Sequence, residues 1–405
     1  MQSIREIYKI GRGPSSSHTM GPEKAAKLFL QKHPDADSFK VILYGSLAKT
    51  GKGHHTDLAI NSVLGESRTK IVFNTEDIAL PHENTMDFIA YSGGNETGTM
   101  RALSIGGGDI SVEGIPSVTP QEVYPENSFA DIAAYCEKNN LRLSDYVYKY
   151  EGNEIKEYLA LVWSTMKAAI SEGLSESGVL EGGLGVQRKA AILFGQHPEN
   201  ETDANKENRI VCAYAFAVGE QNAAGGTVVT APTCGACSVL PAALKYMQET
   251  HGFSDEKIIN ALAVGGIIGN IVKTNASISG AECGCQAEMG TACSMTAAAL
   301  CELFDMTLDQ TEYAAEVAME HHLGLTCDPI GGLVQIPCIE RGAVSSMRAI
   351  NALSLATFLA DSSKISFDNV VKTMYRTGKD MNARYRETSE GGLAYTYKNP
   401  DHTFL

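Results

Sequence analysis

The pattern of apolar residues changes near residue 155, and this change constrains the fold more than any other feature of the sequence. Before it, short runs rich in β-branched and aromatic residues indicate strands, at Phe39–Tyr44, Lys70–Asn74 and Met86–Tyr91. After it, long Ala-, Leu- and Met-rich segments such as Asp255–Val272 and Ala287–Leu303 favour helices. The pattern predicts an α+β fold with two domains. A mixed α/β domain, residues 1–150 including the linker, precedes a larger, mostly α-helical domain, residues 151–405.

Two local features refine the prediction for the first domain. Pro22–Lys32 has helical spacing. Met100–Ile110 and Ile110–Val118 flank the glycines at 106, 107 and 108, which indicates a hairpin or a sheet corner. From about Asn127 to Tyr150 the sequence is polar and helical, and it then reaches the acidic stretch Glu151–Glu157. We place the linker in this region.

The charge balance restricts the partners that this chain can bind. It carries 48 acidic and 33 basic side chains, for a net charge of -15. The chain as a whole would be repelled by nucleic acid or an anionic membrane, so neither is expected as a partner. The first residues, MQSIREIYKIGRG, lack the apolar core of a signal peptide, and the longest apolar stretch, Ala261–Val272, is too short to span a membrane. We therefore expect a soluble cytoplasmic protein.

Sulfur chemistry belongs to the second half of the chain. Nine of the ten cysteines lie between Cys212 and Cys338. In a cytoplasmic protein of this size they are not expected to form a disulfide framework. The candidates for chemistry lie in Cys-x-x-Cys or Cys-x-Cys pairs or beside proline: Cys234, Cys237, Cys283, Cys285, Cys327 and Cys338. These residues alone are compatible with an iron–sulfur or other metal site, a tetrathiolate zinc site, or a redox dithiol.

Two glycine-flanked motifs in the first domain could also carry chemistry. Residues 13–22, GPSSSHTMGP, place three serines and His18 before the predicted helix, where they could cap it or bind a carboxylate. Residues 45–52, GSLAKTGK, superficially match a phosphate-binding loop. Five residues separate the two glycines instead of four, and Gly53 stands where Ser or Thr would ligate magnesium, so the match fails. The loop after this motif presents His54, His55 and Thr56.

Six stretches together carry a resemblance to a known family. They are GPSSSHTMGP at 13–22, LYGSLAKTGKGHHTD at 43–57, GTVVTAPT at 226–233, KTNASISGAECGCQAEMGTACSM at 273–295, MEHHLGLTCDPIGGLVQIPCIER at 319–341 and SEGGLA at 389–394. Through these stretches, which occur in the same order as in the family, the chain resembles the single-chain, iron–sulfur-dependent L-serine dehydratases, also called L-serine ammonia-lyases. The resemblance implies β-elimination of water from L-serine to give pyruvate and ammonia. Pyridoxal phosphate is not required.

The resemblance also implies a cofactor, a 4Fe–4S cluster held by Cys285, Cys327 and Cys338. Three ligands leave the fourth iron open to water or substrate, whereas electron carriers with this cluster use four cysteines. The open iron would act as a Lewis acid on the hydroxyl group of serine. The N-terminal domain in turn resembles an allosteric substrate-binding fold, so regulation by serine is a further expectation.

Catalytic and substrate-binding roles follow from the same resemblance. His54 is the expected base, because a neutral histidine can take the α-proton near pH 7, and His18 and Thr56 are expected to support it or hold the substrate. The expected contacts to the carboxylate and amino group of serine are Ser15, Ser16, Ser17, Lys273, Asn275 and Ser277. L-Serine is the expected small-molecule partner, and a homodimer the expected assembly.

One departure from the family pattern leaves more than one function possible. The chain has APTCGAC where the family usually has APTNGA, so Cys234 replaces an asparagine and Cys237 is additional. Cys234 is thus a candidate fourth ligand, which an electron carrier would need. The same elimination on threonine or cysteine also stays open, as does a non-catalytic amino-acid sensor.

Overall fold

The computed structural model describes residues 1–76, 78–114 and 121–398, and it has the predicted α+β architecture. A small unit with a mixed sheet is followed by a larger, mostly helical unit. The strands are β1 (Ile10–Arg12), β2 (Ser38–Leu43), β3 (Thr69–Phe73), β4 (Thr85–Ser92), β5 (Asn95–Gly106), β6 (Asp109–Val112) and β7 (Thr227–Val229). The helices are α1 (Gly21–Lys32), α2 (Gly45–Thr50), α3 (Thr56–Leu64), α4 (Phe129–Asn139), α5 (Leu143–Glu151), α6 (Glu154–Ser175), α7 (Ala190–Gly195), α8 (Asp203–Ala223), α9 (Val239–His251), α10 (Asp255–Asn275), α11 (Gly280–Cys283), α12 (Thr291–Leu303), α13 (Leu308–Glu320), α14 (Cys338–Leu359), α15 (Phe367–Asp380) and α16 (Gly392–Lys398).

The mixed sheet has the strand order β3-β2-β4-β5-β6. Strands β2 and β3 are parallel, and the other neighbouring pairs are antiparallel. Alternation along β2 buries Phe39, Val41 and Leu43 on one face, where they pack with Phe29 of α1 and Phe88 of β4. The strand predictions are therefore confirmed to within a residue or two.

The predicted hairpin joins β5 to β6. Gly106, Gly107 and Gly108 have φ angles of 101°, 57° and 79°, a region that side chains with a Cβ rarely occupy. The turn thus requires glycine, as the sequence indicates. The predicted stretch to Val118 is described only as far as Gly114, and its remainder lies outside the described residues.

Helices α10 and α12 form the centre of the helical unit. They are buried on almost every side, which explains their lack of a polar face. Two helical segments in the described part of the chain, Asp255–Asn275 and Cys338–Ser362, are long and apolar enough to cross a membrane by length and composition alone. The first of these is α10, most of which lies inside the helical core.

The N-terminal segment ties the two units together. Ile4, Ile7 and Tyr8 are buried in the core of the helical unit, and the Tyr8 hydroxyl donates to the carbonyl of Leu262 at 2.8 Å. Strand β1 then pairs antiparallel with β7, which precedes a loop of the helical unit. Helices α4 and α5 also contribute to the core of the helical unit, and the predicted domain boundary at residue 150 stays a prediction.

Candidate active site

Two π-helical turns contain or directly follow predicted site residues. Ser16–Met20 includes His18 and runs into α1, and Gln286–Gly290 follows Cys285 and runs into α12. In the first turn the amide of Met20 donates to the carbonyl of Ser15 at 3.1 Å, and the Ser15 hydroxyl accepts from the amide of His18. The wider turn inserts one extra residue, and such insertions occur frequently at functional sites.

The two predicted catalytic histidines, His18 and His54, have different hydrogen-bond partners. His18 Nδ1 lies 2.9 Å from the Ser17 hydroxyl, and His18 Nε2 lies 3.0 Å from the Ser46 hydroxyl. His54 Nδ1 lies 3.1 Å from the carbonyl of Thr50, which can only accept, so this nitrogen carries the hydrogen. The Nε2 atom of His54 is therefore an acceptor, and it is buried with no partner among the described residues.

Burial keeps both imidazoles neutral. It lowers the pKa of His54 to about 4, although the hydrogen bond to Thr50 acts in the opposite direction. The pKa of His18 also lies well below its ordinary value, because of burial and then the nearby His54. A neutral His54 can accept a proton at Nε2 near pH 7.

Two threonines connect the backbones of the histidine segments. The Thr19 hydroxyl donates to the carbonyl of His54 at 2.7 Å, and the Thr56 hydroxyl donates to the carbonyl of His18 at 2.6 Å. Both threonines are buried. Thr56 therefore holds the His18 backbone, and it does not line the neighbouring cavity.

One small cavity brings together the predicted ligands, serines and base. Its walls come from both units of the fold. The lining residues are Pro14, Ser15, Ser16, Ser17, His54, Thr233, Gly235, Cys285, Glu288, Met289, Cys327, Pro329, Val334, Cys338 and Glu387.

The structure distinguishes among the cysteines that the residue pattern alone left as equal candidates for sulfur chemistry. Cys285, Cys327 and Cys338 line the cavity. Cys283 instead packs against α15, where a Cβ added at Gly378 would lie 2.7 Å from its sulfur. The Cys234 sulfur lies 3.9 Å from Met20 Sδ, outside the cavity lining.

The donor set of the cavity fits a cluster with three cysteine ligands. All ten cysteines are free. Burial raises the pKa of Cys285 to about 11 and raises the pKa of Cys327 and Cys338 further, so a bound cation would be needed to hold all three as thiolates. Among the described residues no group of three or more His, Cys, Asp or Glu side chains is arranged for a single metal ion. A cluster spreads its ligands more widely than one ion does.

One cation already lies near these thiols. The Arg341 guanidinium lowers the pKa of Cys285 and Cys338. It is held by the carbonyl of Thr326 at 2.7 Å and by Asp328 at 3.2 Å. Cys338 is also the first residue of α14, where the helix dipole favours negative charge.

The predicted substrate contacts fall into two groups. Ser15, Ser16 and Ser17 line the cavity. The other three are engaged outside its lining: Lys273 lies 4.0 Å from Asp109, Asn275 donates to the carbonyl of Asn127, and the Ser277 hydroxyl accepts from the amide of Ser279. Their substrate-binding roles stay predictions.

The cavity also contains acidic side chains that the sequence analysis did not single out. Glu288 accepts from the Thr233 hydroxyl at 3.0 Å and from the amide of Gly280 at 3.1 Å. Glu387 has a left-handed backbone with φ of 59°, and its amide donates to the carbonyl of Cys327. Glu288 lies three residues after Cys285, within the family-like stretch 273–295, which is the one signal that could have identified it.

The chain is similar to two family models and to curated proteins over almost its whole length. A model described as the serine dehydratase beta chain matches residues 3–68, and one described as the serine dehydratase alpha chain matches residues 68–394. L-serine dehydratase 2 of Escherichia coli (strain K12) is 42% identical, covering 97% of this chain and 98% of that protein. L-serine dehydratase of Haemophilus influenzae is 41% identical, with 97% and 99% covered. L-serine dehydratase of Streptomyces coelicolor is 38% identical, with 97% and 98% covered.

Proposed function

Because the chain belongs to the L-serine dehydratase family, we propose that it is an L-serine ammonia-lyase that converts L-serine into pyruvate and ammonia. The observation that carries the proposal is that His54, whose buried Nε2 has no hydrogen-bond partner among the described residues, lines the same cavity as three cysteines. A base and a metal-ligating set at one cavity are what the elimination of water requires.

Cys285, Cys327 and Cys338 would hold a 4Fe–4S cluster in this cavity. When bound, such a cluster supplies a Lewis acid that assists departure of the β-hydroxyl group. The location of Cys234 outside the lining favours three cysteine ligands over four. This arrangement suits a catalytic cluster better than an electron carrier.

His54 takes the α-proton of serine at Nε2. The Thr50 carbonyl holds the hydrogen on Nδ1 and so keeps Nε2 free to accept. The ring of His18 lies 4.5 Å from that of His54, centroid to centroid, and is not part of the cavity lining. Hydrogen bonds to Ser17 and Ser46 fix the His18 ring, so its role is to position the base. The 2-aminoacrylate product tautomerises and hydrolyses to pyruvate and ammonia without further help from the chain.

The carboxylate of serine binds at the Ser15–Ser17 segment. This segment opens the π-helical turn before α1, where hydroxyl groups and backbone amides favour an anion. The Ser15 and Ser17 hydroxyls lie 3.3 Å apart, close enough for both to reach one carboxylate.

Anaerobic purification tests the proposal. The holoenzyme should be brown, contain about four irons per chain, form pyruvate from L-serine and lose activity in air. A colourless, zinc-loaded and active enzyme would contradict the cluster assignment. Comparing kcat/KM for L-serine, L-threonine and L-cysteine tests the substrate preference, and we expect L-serine to have the largest value.

We further infer a cytoplasmic homodimer that binds neither nucleic acid nor membrane. The net charge of -15 supports the absence of polyanionic partners. Exposed apolar side chains on α14, such as Phe358, which is 82% exposed, support a protein interface. Sedimentation equilibrium of the holoenzyme would measure the assembly.

A further inference from the structure

The Glu288 carboxylate has a fixed position in the cavity wall. Its oxygens accept from the Thr233 hydroxyl and the Gly280 amide. A Cβ at Gly235 would lie 2.6 Å from Oε2, and one at Gly280 would lie 2.8 Å from Oε1. Two glycines therefore provide the space that this carboxylate occupies.

The same carboxylate lies close to a predicted cluster ligand. A Cβ atom added at Gly280 would lie 2.8 Å from Glu288 Oε1 and 3.2 Å from the Cys327 sulfur. The carboxylate and the sulfur therefore lie next to the same point of the backbone. Glu387 is held beside Cys327 by a 2.8 Å hydrogen bond from its amide to the Cys327 carbonyl. Glu288 and Glu387 both line the cavity that also contains Cys285, Cys327 and Cys338.

Neither carboxylate is paired with a cation. Within the described ranges, no Lys or Arg forms a hydrogen bond or ion pair with Glu288 or Glu387, and the neighbouring Arg341 is engaged by Thr326 and Asp328. Both residues line the cavity, where negative charge without a counter-ion is poorly solvated. A ligand that brings positive charge into the cavity would offset this cost.

A second feature of the cavity indicates a ligand. His54 lines this cavity and is 1% exposed, and its buried Nε2 has no partner among the described residues. In an α-amino acid, the carbon that gives up a proton to a base also carries the ammonium group. His54 therefore suits the α-proton of such an amino acid, and the Ser15–Ser17 segment suits its carboxylate group. The two glutamates suit its ammonium group.

We propose that Glu288, with Glu387 beside it, binds the ammonium group of L-serine and thereby selects amino acids over hydroxy acids that lack the amino group. The inference rests on the proposed function, and it assigns the amino-group contact to residues outside the set that the sequence analysis predicted.

The test uses two ligands that differ only in the ammonium group and cannot undergo the elimination: L-alanine and propanoate. Each is titrated into the anaerobic holoenzyme by calorimetry. The wild-type enzyme should bind L-alanine about 10- to 100-fold more tightly than propanoate, the range expected for a hydrogen bond between charged groups. Glu288→Gln should reduce this ratio to about 3-fold or less by weakening L-alanine binding. It should also raise KM for L-serine.

The matched control is Glu282→Gln, which removes an exposed carboxylate paired with Lys379 outside the cavity lining. It should keep the wild-type ratio. Iron content and the visible spectrum of each variant show that the cluster is present. If Glu288→Gln does not retain the cluster, Glu387→Gln takes its place, and it should also lower the ratio.

Two results would overturn the inference: a wild-type enzyme that binds both ligands equally, or a cluster-loaded Glu288→Gln variant that keeps the wild-type ratio. Both are distinct from failure of the proposed function. That failure would appear in the wild-type protein as the absence of a cluster or of pyruvate formation from L-serine.

Discussion

The imidazole rings of His18 and His54 lie 4.5 Å apart, centroid to centroid, and only His54 has a nitrogen without a hydrogen-bond partner among the described residues. Both nitrogens of His18 lie within hydrogen-bond distance of hydroxyl groups. Proton transfer to His18 would require one of these contacts to break. These contacts support the proposed division of the pair into a base, His54, and a residue that positions it, His18.

Replacing the two histidines should separate these roles. His54→Gln should lower kcat by about 10²- to 10⁴-fold, the usual contribution of a general base, while the cluster remains. His18→Gln should have a smaller effect, because it removes only support for the ring of His54. Anaerobic pyruvate assays with iron analysis measure both. Full activity of cluster-loaded His54→Gln would exclude His54 as the base.

The protonation of His54 should begin at unusually low pH. Its pKa of about 4 lies below the ordinary value, so the neutral, proton-accepting form persists on acidification and is lost only as pH falls through about 4. At pH 5.5 about 90% of an unperturbed imidazole would be charged, against only a few per cent of His54. NMR of the cluster-free protein can follow the ring resonance that is missing in His54→Gln. A titration midpoint near 6.5 would contradict the structure.

Cysteine variants should distinguish the cavity thiols from their neighbours. Cys327→Ser should lose the cluster and the activity, because it removes one of three thiols in the cavity wall. Cys283→Ala is the matched control, since Cys283 packs against Gly378 of α15. It should keep about four irons per chain. Iron and sulfide analysis after anaerobic purification provides the measurement, and equal iron loss in both variants would refute the ligand assignment.

Alanine at Gly280 should disturb the cavity wall. The added methyl group would collide with the Glu288 carboxylate and approach the Cys327 sulfur, so the free energy of unfolding should fall by about 1–3 kcal/mol. KM for L-serine should rise. Gly195→Ala, at the end of α7, meets no atom within 4 Å and should be neutral or stabilising by up to about 1 kcal/mol. Denaturant unfolding compares the two, and equal stability would show that the wall tolerates the methyl group.

Local patterns predicted most of the secondary structure. Strand β2 and helices α1 and α10 match their predicted segments closely, because alternation and helical periodicity are properties of neighbouring residues. The parallel pairing of β2 with β3 could not be predicted in this way. It depends on contacts between residues that are distant in the chain.

The site was predictable to a smaller extent. Spacing could not separate Cys285 from Cys283, since only the fold turns one toward the cavity and the other toward α15. The choice of three ligands came from the family resemblance. Glu288 was missed because a charged residue in a helical segment usually lies on the surface, whereas its partner Thr233 lies 55 positions away in the sequence.

The order in which the cavity residues occur along the chain has a consequence for biosynthesis. The ribosome makes Pro14–Ser17 early and Glu387 late, yet both lie in the same wall. Domains generally fold from the N-terminus during translation at roughly 5–20 residues per second, but this cavity cannot close until its last segment has emerged. Until then, Cys285 lacks part of the wall that encloses it in the folded chain.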